Sequence, residues 1–190
     1  MRLDRSALIA LAVFASGGAE AHVAMVSHQT RHGPGGIKVG PCGVANSLHG
    51  RAVYRYAPGE TVRFVWDEYV YHPGYFRISF DDEGDDDFVD PLDYFDFYTN
   101  PTVLLDDIHR HDMPGDGIYS IDLTLPDVEC DQCTLQLAQI MTDKPLYEIG
   151  TDDLYYNCVD IALAEPAQGT AAAAALAALL VLRRRQLDSR

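Results

Sequence analysis

The fold is decided by the stretch Thr61-Val62-Arg63-Phe64-Val65-Trp66, in which polar and apolar side chains alternate. Side chains of a β-strand point alternately to opposite faces, so this pattern predicts a strand with one buried face. The turn residues Pro58-Gly59-Glu60 come directly before it and indicate where the strand begins. We therefore expect a sheet that packs on one side against a core.

Similar patterns recur along the chain. Further strands are predicted at residues 75–80, 119–125, 134–140 and 156–163. The region between the first and the last of these strands has no convincing long helical period. Several short strands separated by turn signals predict an all-β protein, built as an antiparallel β-sandwich with long loops.

The beginning of the chain has the composition of a targeting segment. Arg2 and Arg5 precede a short apolar core, and Ala19-Glu20-Ala21 forms a small-residue cleavage site. This arrangement predicts a signal peptide over residues 1–21. The apolar run is shorter than the roughly 20 residues that span a bilayer, which disfavours a membrane anchor. We expect an exported protein, secreted or associated with the cell surface or envelope, whose mature chain begins at His22.

The other end, residues 165–190, contains a linker, an alanine- and leucine-rich run and the basic cluster Arg183-Arg184-Arg185. It resembles the sorting tails of the MYXO-CTERM type. This resemblance implies membrane attachment through residues 170–185, and a surface helix is the alternative because alanine favours helices. The remainder, residues 22–164, has the size of one domain.

The chain is strongly acidic, with a formal net charge of -15. This charge disfavours nucleic acid and anionic lipid as partners, because both repel an acidic surface. It is compatible with a neutral or cationic ligand, including a polysaccharide. Acidic and aromatic residues concentrate at residues 81–116, which we predict to be a long loop. A solvated loop is favoured over a calcium site, because the spacing does not match an EF-hand.

The chain has four cysteines, Cys42, Cys130, Cys133 and Cys158. In an exported domain they are expected to be oxidised, and three pairings are possible. The favoured pairing joins Cys42 to Cys158, because Cys130 and Cys133 form a CxxC motif that can close on itself. A zinc site is the alternative, and it lacks a second CxxC or a close histidine pair.

Export would place a histidine at the new amino terminus. The α-amino group and the imidazole of His22 offer two nitrogens to one metal ion, and His72 offers a third. Copper(II) favours nitrogen ligands in a tetragonal plane, and both kinds of group can lose their protons to a metal near neutral pH. The sequence therefore predicts a histidine brace that holds copper. His28 and His32, close to the same terminus, are alternative ligands.

These features resemble the lytic polysaccharide monooxygenases. In that family the mature chain starts with the brace histidine, and the second histidine follows a strand that often carries tryptophan, as Trp66 precedes His72 here. The last strand carries an aromatic motif, matched by Tyr155-Tyr156-Asn157-Cys158-Val159-Asp160, and residues 130–137 are similar to the penultimate strand. The resemblance covers most of residues 22–163 and implies an immunoglobulin- or fibronectin III-like sandwich with copper as its cofactor.

The resemblance also implies roles for single residues. Tyr155 is the aromatic group that limits axial access to the copper. Gln139, Asp153 and Glu68 are the candidates for the group that positions oxygen, and we select Gln139. The implied activity is oxidative cleavage of glycosidic bonds in a chitin- or cellulose-like polysaccharide, with an external electron donor. A non-catalytic exported copper carrier with the same brace is the alternative, and a metal-free surface domain would follow only if His22 were not exposed.

Overall fold

The computed structural model describes residues 23–33, 37–50, 53–98, 100–143, 147 and 153–166. Within these ranges the chain forms eight strands: β1 (Val23–Met25), β2 (Val53–Tyr56), β3 (Thr61–Glu68), β4 (Gly74–Asp81), β5 (Val103–His111), β6 (Ile118–Thr124), β7 (Cys130–Met141) and β8 (Leu154–Leu163). None of the described residues belongs to a helix of the length and apolarity that crossing a membrane would require. The predicted signal peptide, His22 and residues 167–190 lie outside the described ranges.

The strands form two sheets. One has the order β1-β3-β6, and the other has the order β2-β8-β7-β4-β5. Neighbouring strands pair antiparallel in both sheets, except that β2 runs parallel to β8. The predicted all-β, immunoglobulin-like sandwich is confirmed, with this parallel edge strand as the one departure from antiparallel pairing among the described strands.

The main core lies between the two sheets. Phe64 and Trp66 of β3 meet Phe76 and Leu137 of the larger sheet in one buried cluster. The rings of Trp66 and Phe76 have centroids 5.2 Å apart and lie 69° from parallel, an edge-to-face geometry that aromatic pairs favour. The alternation in β3 therefore places its apolar residues in the core as predicted, while Arg63 on the opposite face stays exposed.

The larger sheet is buried on its outer face as well. Tyr75, Ile140 and Tyr156 on that face are covered by partly buried aromatic residues that include Tyr94 and Phe97. Both aromatics belong to the acidic segment that follows β4. As a result every residue of β4 and β8 is buried, and this segment acts as a cover on the sheet.

The prediction of one long loop over residues 81–116 is wrong, because β5 lies within it. The ladder between β5 and β4 has three register shifts. Asp107 and His109 have left-handed φ values of 54° and 49°. Bulges of this kind interrupt the alternation by which a strand is recognised in a sequence. The preceding stretch is irregular, and the carboxylate of Asp81 accepts main-chain hydrogen bonds from Glu83 and Gly84 there.

Both favoured disulfides are present. Cys42 pairs with Cys158, and Cys130 pairs with Cys133 at the start of β7. The first bridge closes a sequence separation of 116 residues and fastens the loop before β2 to the interior strand β8. Closing a loop of this length restricts the unfolded chain and so stabilises the folded domain.

Candidate metal centre

His72 is positioned by the short connection between β3 and β4. A Cβ atom on Gly74, the first residue of β4, would lie 2.1 Å from the main-chain oxygen of Ile140, so only glycine lets β4 approach β7 this closely. Next to it, the N–H of Thr142 donates to the carbonyl of Pro73 at 2.7 Å. These two contacts hold His72 at the end of β7, at one end of the sandwich.

The imidazole of His72 is oriented by an acidic neighbour. Its Nδ1 lies 2.8 Å from Oδ2 of Asp143, just beyond the end of β7. A carboxylate at this distance favours the proton on Nδ1, so that the neutral ring carries its lone pair on Nε2, the nitrogen that a metal would use. The side chains of His72 and Asp143 are 23% and 34% exposed, which leaves the pair accessible from solvent.

The carboxylate of Glu68 links the two sheets at the same end of the sandwich. Its Oε1 accepts the main-chain N–H of His72 at 3.2 Å and the Nε2–H of Gln139 at 2.5 Å. Its Oε2 accepts the hydroxyl of Tyr119 at 3.3 Å and lies 3.1 Å from Nε2 of His111. Burial raises the pKa of Glu68, and the charge of His111 acts in the opposite direction. Glu68 thus connects the loop of His72 to the buried surface of the larger sheet.

The two residues predicted to be catalytic lie side by side. Gln139 on β7 pairs in register with Tyr155 on β8 and with Phe76 on β4. Gln139 is 1% exposed and Tyr155 is 3% exposed. While the amide nitrogen of Gln139 is bound to Glu68, its buried Oε1 has no hydrogen-bond partner among the described residues. The structure therefore brings His72, Gln139 and Tyr155 together through Glu68 and the sheet register.

The other predicted ligands are placed differently. His22 lies outside the described residues, but the next residue, Val23, pairs with Glu68 across β1 and β3. Both ring nitrogens of His28 are engaged, by Ser27 at 2.6 Å and Tyr56 at 2.7 Å, and the ring stacks on Phe64.

His32 contacts the hydroxyl of Ser47 at 2.7 Å. Asp153, the third candidate for positioning oxygen, is buried and its carbonyl accepts the N–H of Met141. Of the alternatives from the sequence, Glu68 contacts both His72 and Gln139, whereas both ring nitrogens of His28 are engaged elsewhere.

Sequence reasoning missed three residues of this centre. Asp143 orients His72, and His111 and Tyr119 hold the second oxygen of Glu68. Asp143 is separated from His72 by 71 residues, so no local spacing could reveal the pair. His111 was expected in a loop, but it ends strand β5. The one available signal was the repeat of histidine in His109-Arg110-His111.

Comparisons with known proteins assign this chain to a family. The family described as "Lytic polysaccharide mono-oxygenase, cellulose-degrading" matches residues 11–161. One similar solved structure is a lytic polysaccharide monooxygenase AA15 from Thermobia domestica in the Cu(I) state. It is 24% identical, covers 65% of this chain and 75% of its own, and has a TM-score of 0.45.

Another is an AA10 lytic polysaccharide monooxygenase from Streptomyces lividans. It is 13% identical, covers 59% of this chain and 59% of its own, and has a TM-score of 0.37. Among curated protein sequences none matches this chain. Since the family match spans well over half of the sequence, the protein belongs to the lytic polysaccharide mono-oxygenase family.

Proposed function

We propose that this protein is an exported copper-dependent monooxygenase that cleaves polysaccharide glycosidic bonds by oxidation. The metal would be held by the amino group and imidazole of His22 and by the imidazole of His72. The single observation that carries the proposal is the Nδ1 contact between His72 and Asp143, because metal-binding histidines characteristically donate their other ring nitrogen to such a partner.

The residues around His72 fit copper. Imidazole is a ligand that copper binds well, and the ring of His72 would present Nε2 to the metal. Val23 pairs with Glu68, which in turn accepts the N–H of His72. This pairing supports His22, the residue before Val23, as the second ligand. The proposed maturation, with residues 1–21 removed, is what would give His22 its free amino group.

Each remaining residue of the centre has a proposed task. Copper, when bound, would supply the redox chemistry with dioxygen or hydrogen peroxide by which a C1 or C4 carbon of the polysaccharide is oxidised, using electrons from an external donor. Tyr155 would limit access to the metal, and Gln139 would position the oxygen co-substrate through its amide. The support is that both side chains are buried next to each other on β7 and β8, where their rotamers are restricted by packing.

The ligand assignment is tested by copper titration. Cu(II) binding is followed by EPR for a chain that begins at His22 and for one with a single glycine placed before it. We expect only the free-histidine form to bind tightly with a nitrogen-rich axial spectrum. A His72→Ala variant should lose this spectrum, whereas His32→Ala, which removes an exposed histidine, should keep it. Equal binding by the two chains would refute the brace.

The activity is tested separately. The copper-loaded chain is incubated with chitin- or cellulose-like polysaccharides, a reductant and hydrogen peroxide, and soluble products are analysed by mass spectrometry. Oxidised oligosaccharides that vanish in His72→Ala would support the enzyme.

Copper binding without oxidised products from any substrate would favour the alternative, an exported copper carrier with the same ligands. The observation in favour of the carrier is a hollow of about 340 Å³ beside Glu68, lined by acidic residues that include Asp67 and Asp116. Carboxylates at such a mouth attract cations.

A further inference from the structure

His111 is the residue that the proposed mechanism leaves unused, although it reaches the middle of the centre. It ends β5 and pairs in register with Gly74, two residues beyond His72. Its side chain is 12% exposed. The ring stacks on Tyr119 with centroids 5.4 Å apart and planes 24° apart, and it also lies against Phe76 at 5.9 Å. Packing on these rings restricts the imidazole to one orientation.

The contacts of the two ring nitrogens of His111 define which nitrogen faces the centre. Its Nδ1 lies 2.7 Å from the main-chain oxygen of His109. A carbonyl oxygen can only accept a hydrogen bond, so Nδ1 carries a proton. The other nitrogen, Nε2, lies 3.1 Å from Oε2 of Glu68. The approach has the length of an ion pair but not the direction of an aligned hydrogen bond. His111 therefore fixes one oxygen of Glu68 while its own ring is fixed by packing and by the chain.

The other oxygen of the same carboxylate, Oε1, contacts two residues of the centre. Oε1 of Glu68 accepts the main-chain N–H of His72 and the amide of Gln139. A carboxylate is rigid and planar, so holding Oε2 in place restricts where Oε1 can lie. We propose that His111 is a positioning residue of the copper centre, acting through Glu68 on His72 and Gln139. The role in the copper centre rests on the proposed function. The link from His111 to His72 and Gln139 rests on the contacts of Glu68.

The neighbouring histidine on the same strand provides a matched control. His109 lies against Trp66 and Tyr119 with ring centroids 5.6 and 5.3 Å away, and its Nε2 contacts the main-chain oxygen of Ser120 at 3.0 Å. It shares the strand and the aromatic surroundings of His111, but its ring contacts and its hydrogen bond involve Trp66, Tyr119 and Ser120 rather than Glu68. A role of His111 in packing alone would therefore be shared by His109.

The experiment uses two substitutions of His111 that test the stacking of its ring and the contact of its Nε2 separately. His111→Phe keeps a ring for stacking on Tyr119 and removes the contact with Glu68. His111→Gln removes the ring and keeps a donor that can reach the carboxylate. The metal-free processed chain beginning at His22 is labelled with ¹⁵N, and two signals are compared with the unmodified protein. They are the main-chain amide of His72 and the side-chain amide of Gln139, both of which donate to Glu68.

We expect both signals to shift in His111→Phe and to return toward their original positions in His111→Gln, while His109→Phe leaves both unchanged. In the copper-loaded chain, His111→Phe should weaken copper binding by about tenfold or more and change the EPR spectrum. The inference is overturned if His111→Phe leaves both amide signals in place, or if His111→Gln disturbs them as much as His111→Phe.

The amide signals are measured without metal, so they test the positioning role of His111 whether or not the chain binds copper. Equal copper binding by the chain that begins at His22 and by the glycine-extended chain would instead overturn the proposed function. The two failures are therefore distinguishable.

Discussion

Replacement of Gly74 by alanine should weaken the junction that holds the candidate metal centre. The added Cβ would lie 2.1 Å from the oxygen of Ile140, and real Cβ atoms are essentially never found closer than 3.0 Å to another atom. Relief therefore requires β4 and β7 to separate by about 0.9 Å. The hydrogen bond from Thr142 to Pro73, at 2.7 Å, would then exceed about 3.5 Å and be lost.

The expected magnitude follows from these contacts. A lost main-chain hydrogen bond contributes about 1 kcal/mol, and forcing extra volume into a packed strand pair contributes roughly 2 kcal/mol. We therefore expect Gly74→Ala to lower the free energy of unfolding by about 3 kcal/mol. For a domain of this size the melting temperature should fall by roughly 10 °C.

Urea unfolding provides the assay, because the fluorescence of Trp66, the single tryptophan, reports directly on the core. Two other glycines serve as controls. A Cβ on Gly115 would meet no atom within 4 Å, and Gly59 has equal space but a φ of +72°. Gly115→Ala should change the unfolding free energy by less than about 0.5 kcal/mol, and Gly59→Ala should lower it by about 1 kcal/mol. If Gly74→Ala were no more destabilising than Gly59→Ala, the close approach of β4 to β7 would be refuted.

The remaining predictions concern the links between loops and sheet. Arg31→Met should lower the free energy of unfolding by about 3–5 kcal/mol in urea, since it leaves the buried carboxylates of Asp86 and Asp160 without their cation; a change below 1 kcal/mol would show that the ion pair does not stabilise the fold. Burial favours a higher pKa for Asp86, yet the hydrogen bonds and charge of Arg31 hold that pKa below its usual range. Stability from this pair should therefore be fully present above about pH 4, the pKa of an unfolded aspartate, and be lost as the pH falls through the lower folded pKa. Unfolding measured against pH should show this loss in the unmodified protein, and an equal acid slope in Arg31→Met would contradict the assignment. Replacing Cys42 and Cys158 together by serine should lower the unfolding free energy by about 4–5 kcal/mol, from the chain entropy of the long loop; an unchanged urea midpoint would exclude a stabilising role for that bridge.

A strand could be predicted from the sequence where its alternation of polar and apolar residues is uninterrupted. β3 has a buried and a less buried face, and its alternation was sufficient. β4 and β8 were also located, but their burial on both faces could not be predicted, because the covering segment comes from elsewhere in the chain. β5 was missed because the left-handed conformations of Asp107 and His109 break its period.

The residues of the candidate metal centre could also be predicted only in part from the sequence. His72 could be selected because imidazole binds metals and because the leader predicts a terminal histidine to join it. The roles of Asp143 and His111 could not be predicted, since each depends on a contact made only when distant strands meet. Chemistry of a single side chain is visible in a sequence, whereas the partner that orients it is a product of the fold.

The irregular geometry of β5 also affects how copies of this protein meet each other. β5 is an edge of the larger sheet, and a regular edge strand offers unpaired main-chain groups to which a strand of another molecule can bind. Its left-handed residues and shifted register prevent such a neighbour from forming a continuous ladder. The bulged strand therefore disfavours aggregation through this edge of the sheet.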